Sequence, residues 1–533
     1  MGRWRVRFLW LGLAMAMVAS AFANLHASAK QDQPPGPDRA ALVTVDYTSY
    51  DWWLTNWEDN SVACELFVDH EGSPTYNEIY KSCGEELYQS WAFTKPCESF
   101  SYCEGYYLHF VDSAPASRTV GVSLPAVQIW LTLKGCDLVS YTNVCIQPPL
   151  LVITAEEPLP NENILKIEGM LNGEPFICKA ECELPLSDTN DEDGIELDFW
   201  AYSSYGDSSE PFHAKIRVVI LDDTLPGERT WYVDVLSSQW TGSPTASCSQ
   251  TWESFPPIYG VPAWLTTPVD ANGLASDIPY SYLARNLIIQ GLVDVSNCPD
   301  SGFLVSGQAS ICGLEAAQPQ VEQWQNRFDE QIYTVAGESG IPAQLLKNLF
   351  SRESQFWPGI GTEGPEAGLG QLTLNGADTT LLWNASFYSQ YCPLVLDVSV
   401  CQKPYALLKP AFQELLQSAL VRSVNAFCGD CPYGLDLEQA NSSVRTFAET
   451  LQANCEQTGH IVQNTFKAAP GLVSDYDDLW RFTLVNYNAG SGCLILALQD
   501  TRKAGEPVDW LHVSAHLTPV CKGAKDYVSD ISR

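Results

Sequence analysis

At 533 residues the chain is longer than one hydrophobic core usually supports, which implies roughly two to four domains. Lys and Arg number 29 against 64 Asp and Glu, a formal charge of −35 that excludes a phosphate-binding surface and with it a nucleic-acid partner. The same acidity opposes charge-driven attachment to anionic wall polymers.

The N-terminus has the layout of a secretory signal peptide over residues 1–29. Arg3, Arg5 and Arg7 precede an apolar run from Phe8 to Ala23, and small-residue sites follow at Ala21-Phe22-Ala23 and Ala27-Ser28-Ala29. A retained anchor is the alternative, although the run is short for a membrane span. Removal of the three arginines takes the charge from −35 to −38. No Cys lies near enough to be a lipid site, and no later stretch is apolar enough to span a bilayer, so no integral membrane segment is expected after cleavage.

A polar, Pro-rich linker (30–40) leads into sequence rich in Trp, Tyr, Val and Thr, broken by Gly, Pro, Asn and Asp, which reads as short strands. We divide it into a Trp-rich β module (41–146) and an immunoglobulin-like β module (147–260). The clearest strands are Leu150 to Thr154, Ile164 to Leu171, Ile195 to Tyr202 and Phe212 to Leu221, spaced as in an antiparallel sandwich. Strict alternation in Ile195-Glu196-Leu197-Asp198-Phe199 predicts one buried and one wet face. Trp52, Trp53 and Trp57 suit either core packing or stacking on sugar rings. The acidic stretch from Asp188 to Gly194 superficially resembles a calcium loop, but lacks Gly at the sixth position and reads as a solvated turn.

Eighteen cysteines suit an oxidising compartment. The close pairs Cys136/Cys145, Cys178/Cys182, Cys298/Cys312 and Cys392/Cys401 suggest local bridges, though spacing does not fix connectivity. Zinc at Cys428-Gly429-Asp430-Cys431 has no second ligand pair of standard spacing to support it. Division near Gln290 leaves nine cysteines on each side, so complete pairing requires at least one bridge between the halves.

After a connector (261–317) the periodicity becomes helical. Val321, Trp324, Phe328, Ile332 and Val335 trace one face of an amphipathic helix. Further helices are expected at Ala411 to Phe427, Ser442 to Lys467 and Asp475 to Tyr487. After Pro342, Leu345, Leu346, Leu349 and Phe350 define a buried face, and Glu353 lies three residues past Phe350 at its edge. A carboxyl held against apolar surface is costly to ionise, and the raised pKa suits a general acid near neutral pH. Glu338-Ser339 repeats the dipeptide but precedes Pro342, so a helix-start role is adequate for it. His512 and His516 lack an H-E-x-x-H pattern and read as surface residues.

Three pieces occur in order: Glu353-Ser354, then after thirteen residues Gly368-Leu369-Gly370-Gln371, and finally Tyr487-Asn488-Ala489-Gly490. This pattern resembles the soluble lytic transglycosylases, relatives of goose-type lysozyme that cleave the glycan strand of peptidoglycan. The resemblance covers residues 318–533 and implies a mainly α, lysozyme-like domain; the fold class expected is thus multidomain, all-β modules followed by that domain. It implies a single catalytic Glu353, saccharide contacts from Ser354 and Gln371, charge stabilisation by Tyr487, a cleft wall shaped by Asn488 to Gly490, peptidoglycan as partner, and no metal or cofactor. The implied chemistry transfers the sugar's own C6 hydroxyl to C1 and leaves a 1,6-anhydro end.

Two departures qualify the resemblance. Gly370 stands where the second motif usually has Met, and the interval from Gln371 to Tyr487 is long, with a cysteine-rich insertion at about 385–440. Within that interval, Asn441 to Leu451 resembles the helix that precedes the third motif in the family. A hydrolytic, goose-type muramidase is the alternative, in which Glu363, Glu366 or Asp378 would position a water. A non-enzymatic wall-binding or adhesin protein with an inactive lobe is the other, Gly370 being the sequence hint of drift.

Overall fold

The computed structural model describes residues 34–95, 104–137, 144–187, 194–222, 229–241, 247–258, 260–359 and 366–533. The signal peptide, the first part of the linker, the acidic stretch at 188–193, and Glu363 lie outside them. One compact unit comprises the chain up to Gln128 with Glu156–Leu165 and Tyr202–Glu210; the other comprises Ile129–Ala155, Lys166–Ala201 and Pro211–Arg533.

The first unit is built on a long antiparallel ribbon. Strand β1 (Ala40–Asn56) lies between β2 (Val62–Val68) and β3 (Tyr106–Ser123). The Trp-rich module is not purely β, because helix α1 (Tyr76–Ala92) follows β2. Thr75 caps it reciprocally with Glu78, and Cys64–Cys83 ties it to β2. Trp52 and Trp53 are neighbours on one strand and so face opposite sides of the ribbon. Trp52 packs on Phe110 and Trp57 lies tilted over Tyr107 with ring centroids 4.1 Å apart, so the three indoles do not form one platform. Arg39 is buried between the Glu157 and Asp207 carboxylates at 2.6 and 2.8 Å, which compensates its charge.

The second unit begins with β4 (Gln128–Asp137) and β5 (Val144–Glu156), which pair in an eight-stranded sheet and not with the ribbon; the expected boundary at 146 therefore moves to about 128. With β6 (Ile164–Leu171), β7 (Glu174–Cys178), β8 (Glu181–Pro185), β9 (Ile195–Ser203), β10 (Phe212–Asp222) and β11 (Thr230–Leu236), the order is β4-β5-β11-β10-β9-β6-β7, and β8 also joins β5. The alternation in β9 holds: Leu197 and Phe199 are buried while Glu196 and Asp198 are exposed. Leu131, Ile153, Ile167, Ile216 and Val233 complete the buried face.

The helical region comprises α2 (Ser247–Trp252), α3 (Ser281–Ile289), α4 (Ile311–Gln325), α5 (Asp329–Ser339), α6 (Ala343–Ser354), α7 (Leu374–Trp383), α8 (Ala385–Val395), α9 (Pro410–Val424), α10 (Leu437–Phe466), α11 (Tyr476–Ala489), α12 (Ser491–Ala504) and α13 (Gly523–Ile531), with shorter turns between. The face from Val321 to Val335 is buried as expected, but two helices share it, the chain breaking at Asn326–Phe328. The stretch 261–317 is not a free connector: Trp264, Leu274, Leu283 and Leu287 belong to the same continuous core as the later helices. Lys347 of α6 is buried against Asp329 at 2.9 Å and Asn326 at 2.7 Å, which locks α6 to the break before α5.

Sixteen cysteines form eight bridges among the described residues, and Cys97 and Cys103 lie outside them. All four local pairs expected from spacing are bonded. Cys428 and Cys431 bond to each other, which removes the thiolates that zinc would need. The bridge between the halves is Cys248–Cys455, joining α2 to the middle of α10. Beside it, Trp252 is fully buried, donates its indole N–H to Cys455 O at 3.0 Å, and meets Trp480 edge-on.

This packing corrects the boundary of the helical region. A fragment from Gln318 to Arg533 loses Cys248, Trp252, Trp264 and α3, and is expected to unfold at least about 2–5 kcal/mol more readily than a fragment from Ser247, the range for one native disulfide. Urea titration of both fragments measures the difference, and equal midpoints with equal slopes would return the boundary to 318.

Candidate active site

Helix α6 carries Glu353 to the cleft. Its start is tied down where Thr267 Oγ1 accepts from Ala343 N–H at 3.1 Å, and Leu345, Leu346, Leu349 and Phe350 are fully buried. The helix ends at Ser354, and the next two residues, Gln355 and Phe356, take left-handed φ values of 46° and 61°. Two consecutive such residues without glycine are strained. Surrounding bonds hold them: Gln355 Oε1 accepts from Tyr282 N–H at 2.8 Å, and Phe356 O accepts from the Trp324 indole at 2.9 Å.

The second motif forms a tight loop closed by the Ala367–Leu372 backbone pair, with Gly368 at φ 79° and Gln371 at φ 50°. Ser354 is buried, and its hydroxyl lies 2.7 Å from Leu369 O and 3.2 Å from Phe350 O. It therefore fastens the loop to the end of α6 and does not line the cleft, which corrects the saccharide contact expected of it. Gln371 does line the cleft, its amide donating to Gly368 O at 2.7 Å. The third motif ends α11: Tyr487 lines the cleft and donates to Gly370 O at 2.7 Å, while Asn488 lines it exposed to solvent.

Gly370 is explained by what surrounds it. A Cβ there would lie 2.4 Å from Phe447 Cδ1 and 2.9 Å from the Tyr487 hydroxyl. Phe447, fully buried on α10, thus fills the space beneath the loop that a larger residue at 370 would otherwise occupy. It also meets Phe350 edge-on at 5.5 Å, so one ring joins α10, the loop and α6.

The cleft is open, with a volume of about 360 Å³. Glu353, Glu366, Gln371 and Tyr487 line it together; Thr450 and Asn454 of α10 face them. Burial pushes the Glu353 carboxyl up to about 7, partly offset by a hydrogen bond from Tyr527 and by Arg352, and reinforced by Glu366. Tyr527 donates to Glu353 Oε1 at 2.5 Å, and Arg352 lies over its ring. Burial and the two carboxylates hold the Tyr487 phenol well above its ordinary value, which keeps it a donor. Among the described residues no group of three or more His, Cys, Asp or Glu side chains suits a metal ion.

The remaining candidates lie elsewhere. Asp378 accepts from Tyr405 at 2.6 Å and Gln417 at 2.8 Å, which ties it into the insertion and away from the cleft. Glu338 is in the last turn of α5, not in a loop, and pairs with Arg445. His512 and His516 are partly buried and pair with Asp509 and Glu506, both at 2.7 Å. Tyr527 belongs to none of the three motifs. Its only local signal is the α13 face Ala524, Tyr527, Val528 and Ile531, which reads as core.

Because Tyr527 donates to Glu353, it favours the ionised carboxylate. Tyr527→Phe should raise the apparent pKa of the Glu353-dependent step above 7, by about half a unit to one unit, so that the alkaline fall of the rate moves to higher pH. A pH profile separates this from a packing defect, since lost packing alone would lower the rate without moving the pKa.

No family model matches the chain, and no curated protein does. A comparison with solved structures finds a polysaccharide lyase at 10% identity and a TM-score of 0.15, over 81% of this chain and 52% of the other. The chain thus spans about half the length of that protein, and a likeness of this size carries no argument. Among the described residues no helix is long and apolar enough to cross a membrane. The eight bridges fit an extracytoplasmic or secreted protein.

Proposed function

We propose that this is an exported peptidoglycan lytic transglycosylase whose helical region is a lysozyme-like lobe, preceded by β modules of which the second is immunoglobulin-like. The observation that carries the reading is Glu353: a carboxyl that opens onto the cleft with its pKa raised to about 7 and a tyrosine bonded to it. The protonated carboxyl donates its proton to the bridging glycosidic oxygen between MurNAc and GlcNAc, and the C1–O bond breaks. The carboxylate so formed takes the proton of the C6 hydroxyl as that oxygen bonds to C1. Glu353 is thereby returned to its acid form, and no water is consumed. Tyr487 and Gln371, which line the same cleft, bind the saccharide in this reading.

A hydrolytic muramidase is the second reading, favoured by Glu366, a second carboxylate in the same cleft that could orient water. Mass spectrometry of a digest of purified peptidoglycan decides between them. Transglycosylase products carry anhydro ends and are lighter by one water; hydrolytic products carry reducing ends. Intact peptidoglycan after prolonged digestion would overturn both.

A further inference from the structure

Among the described residues no Lys, Arg or His lines the cleft. From Glu353 to Gln402 the chain contains no Lys, Arg or His, and the same is true from Thr446 to Gly459 and from Phe482 to Thr501. These three segments supply every residue that lines the cleft. Apart from the Glu353 and Glu366 carboxyls, the polar side chains along it are neutral amides and hydroxyls, such as Asn375, Thr379, Thr450 and Asn454. Arg352, the nearest cation along the chain, lies on a different surface of α6 and pairs with Asp530 at 3.1 Å.

We propose that the cleft discriminates between glycans by the charge on the lactyl group, accepting muramyl residues whose lactyl carboxyl is masked as an amide and disfavouring strands in which it is a free carboxylate. The proposal rests on the reading of the cleft as a peptidoglycan site. An amide at that position offers one donor and one acceptor to the Asn and Thr side chains of the walls. A free carboxylate shares the cleft with the Glu366 carboxyl, and among the described residues no Lys, Arg or His lines that cleft, in a chain of formal charge −35. Like charges several ångströms apart in a partly solvated cleft disfavour binding about five- to thirty-fold at low ionic strength. Screening over about 10 Å at 0.1 M salt reduces the effect.

The test uses the full chain carrying Glu353→Gln, so that binding is read without turnover. Two ligands of equal length are compared by calorimetry: glycan strands freed of peptide, bearing lactyl carboxylates, and the same strands after conversion of those carboxyls to methylamides. The methylamide form is expected to bind at least about fivefold tighter at about 20 mM salt, with the gap closing at about 500 mM. Adding Asn375→Lys, at an exposed position of the wall, should narrow or reverse the gap, tightening binding of the carboxylate form relative to the methylamide form. Equal affinities at low salt, or a charge insertion without effect on either ligand, would overturn the selectivity alone. If neither glycan binds, the peptidoglycan reading falls and this proposal with it.

Discussion

Glu353→Gln is expected to lower glycan cleavage by about a hundred-fold or more while leaving saccharide binding in place, because the amide keeps the shape and hydrogen-bonding reach of the side chain and removes its proton. The wild-type rate should fall as pH rises through about 7, where the carboxyl loses the proton it must donate. Stability should also fall with rising pH, over a lower range. The folded pKa of Glu353 is raised above its unfolded value, so the unfolded chain releases this proton near pH 4.5 and the folded chain only near 7. Wild-type stability is therefore lost between those values and stays reduced above them. The variant has no such loss and should be more stable at pH 8 by about 1–3 kcal/mol, the shift being scaled down for the solvent that reaches the cleft. Thermal unfolding at pH 4 and pH 8 measures this. A variant with full activity, or with no pH-dependent gain, would mean that Glu353 is neither the proton donor nor a carboxyl held out of its ordinary range.

How much of the site was legible depended on whether the interaction was local. The buried face of α6 and the position of Glu353 beside it follow from helical spacing over eight residues, and the loop and the end of α11 follow from motif order. The close cysteine pairs follow from short spacing, and their parity required a bridge between the halves. Parity could not say that Cys248 and Cys455 form it, because nothing near Cys248 records that α2 packs on α10. The same limit hid Tyr527, which meets Glu353 across 174 residues and whose own helix reads as ordinary core. It also hid the place of 261–317, where Trp264 and Leu283 sit among Gly- and Pro-containing turns with short periodic runs, yet are buried by helices far along the chain. Ser354 shows the reverse case: motif order singles the residue out, but the direction of its hydroxyl is not readable from sequence, and it turns inward to Leu369 O.

Gly370→Met, which restores the residue usual at this point of the resembled motif, should be damaging here. Its Cβ would meet the fully buried Phe447 ring at 2.4 Å and the Tyr487 hydroxyl at 2.9 Å, so at least the ring must be displaced within the core. Overpacking of this kind costs about 1–3 kcal/mol and would displace the loop that presents Gln371 and receives Tyr487. Activity should therefore fall at least as sharply as stability. Phe447→Ala should also destabilise, by about 3–5 kcal/mol, because it empties a contact shared by α10, α6 and the loop. If the two positions exchange volume, the double variant should recover part of both losses, with a coupling energy of about 1–3 kcal/mol of compensating sign. Urea unfolding of the four proteins of the cycle gives that energy, and cleavage by the same four shows whether the loop has returned. Additive losses would show that Phe447 does not stand in for the missing side chain, and that the motif's departure at Gly370 has some other compensation. A rescued double variant would show that the second motif keeps its function here through a volume exchange with a helix more than seventy residues away.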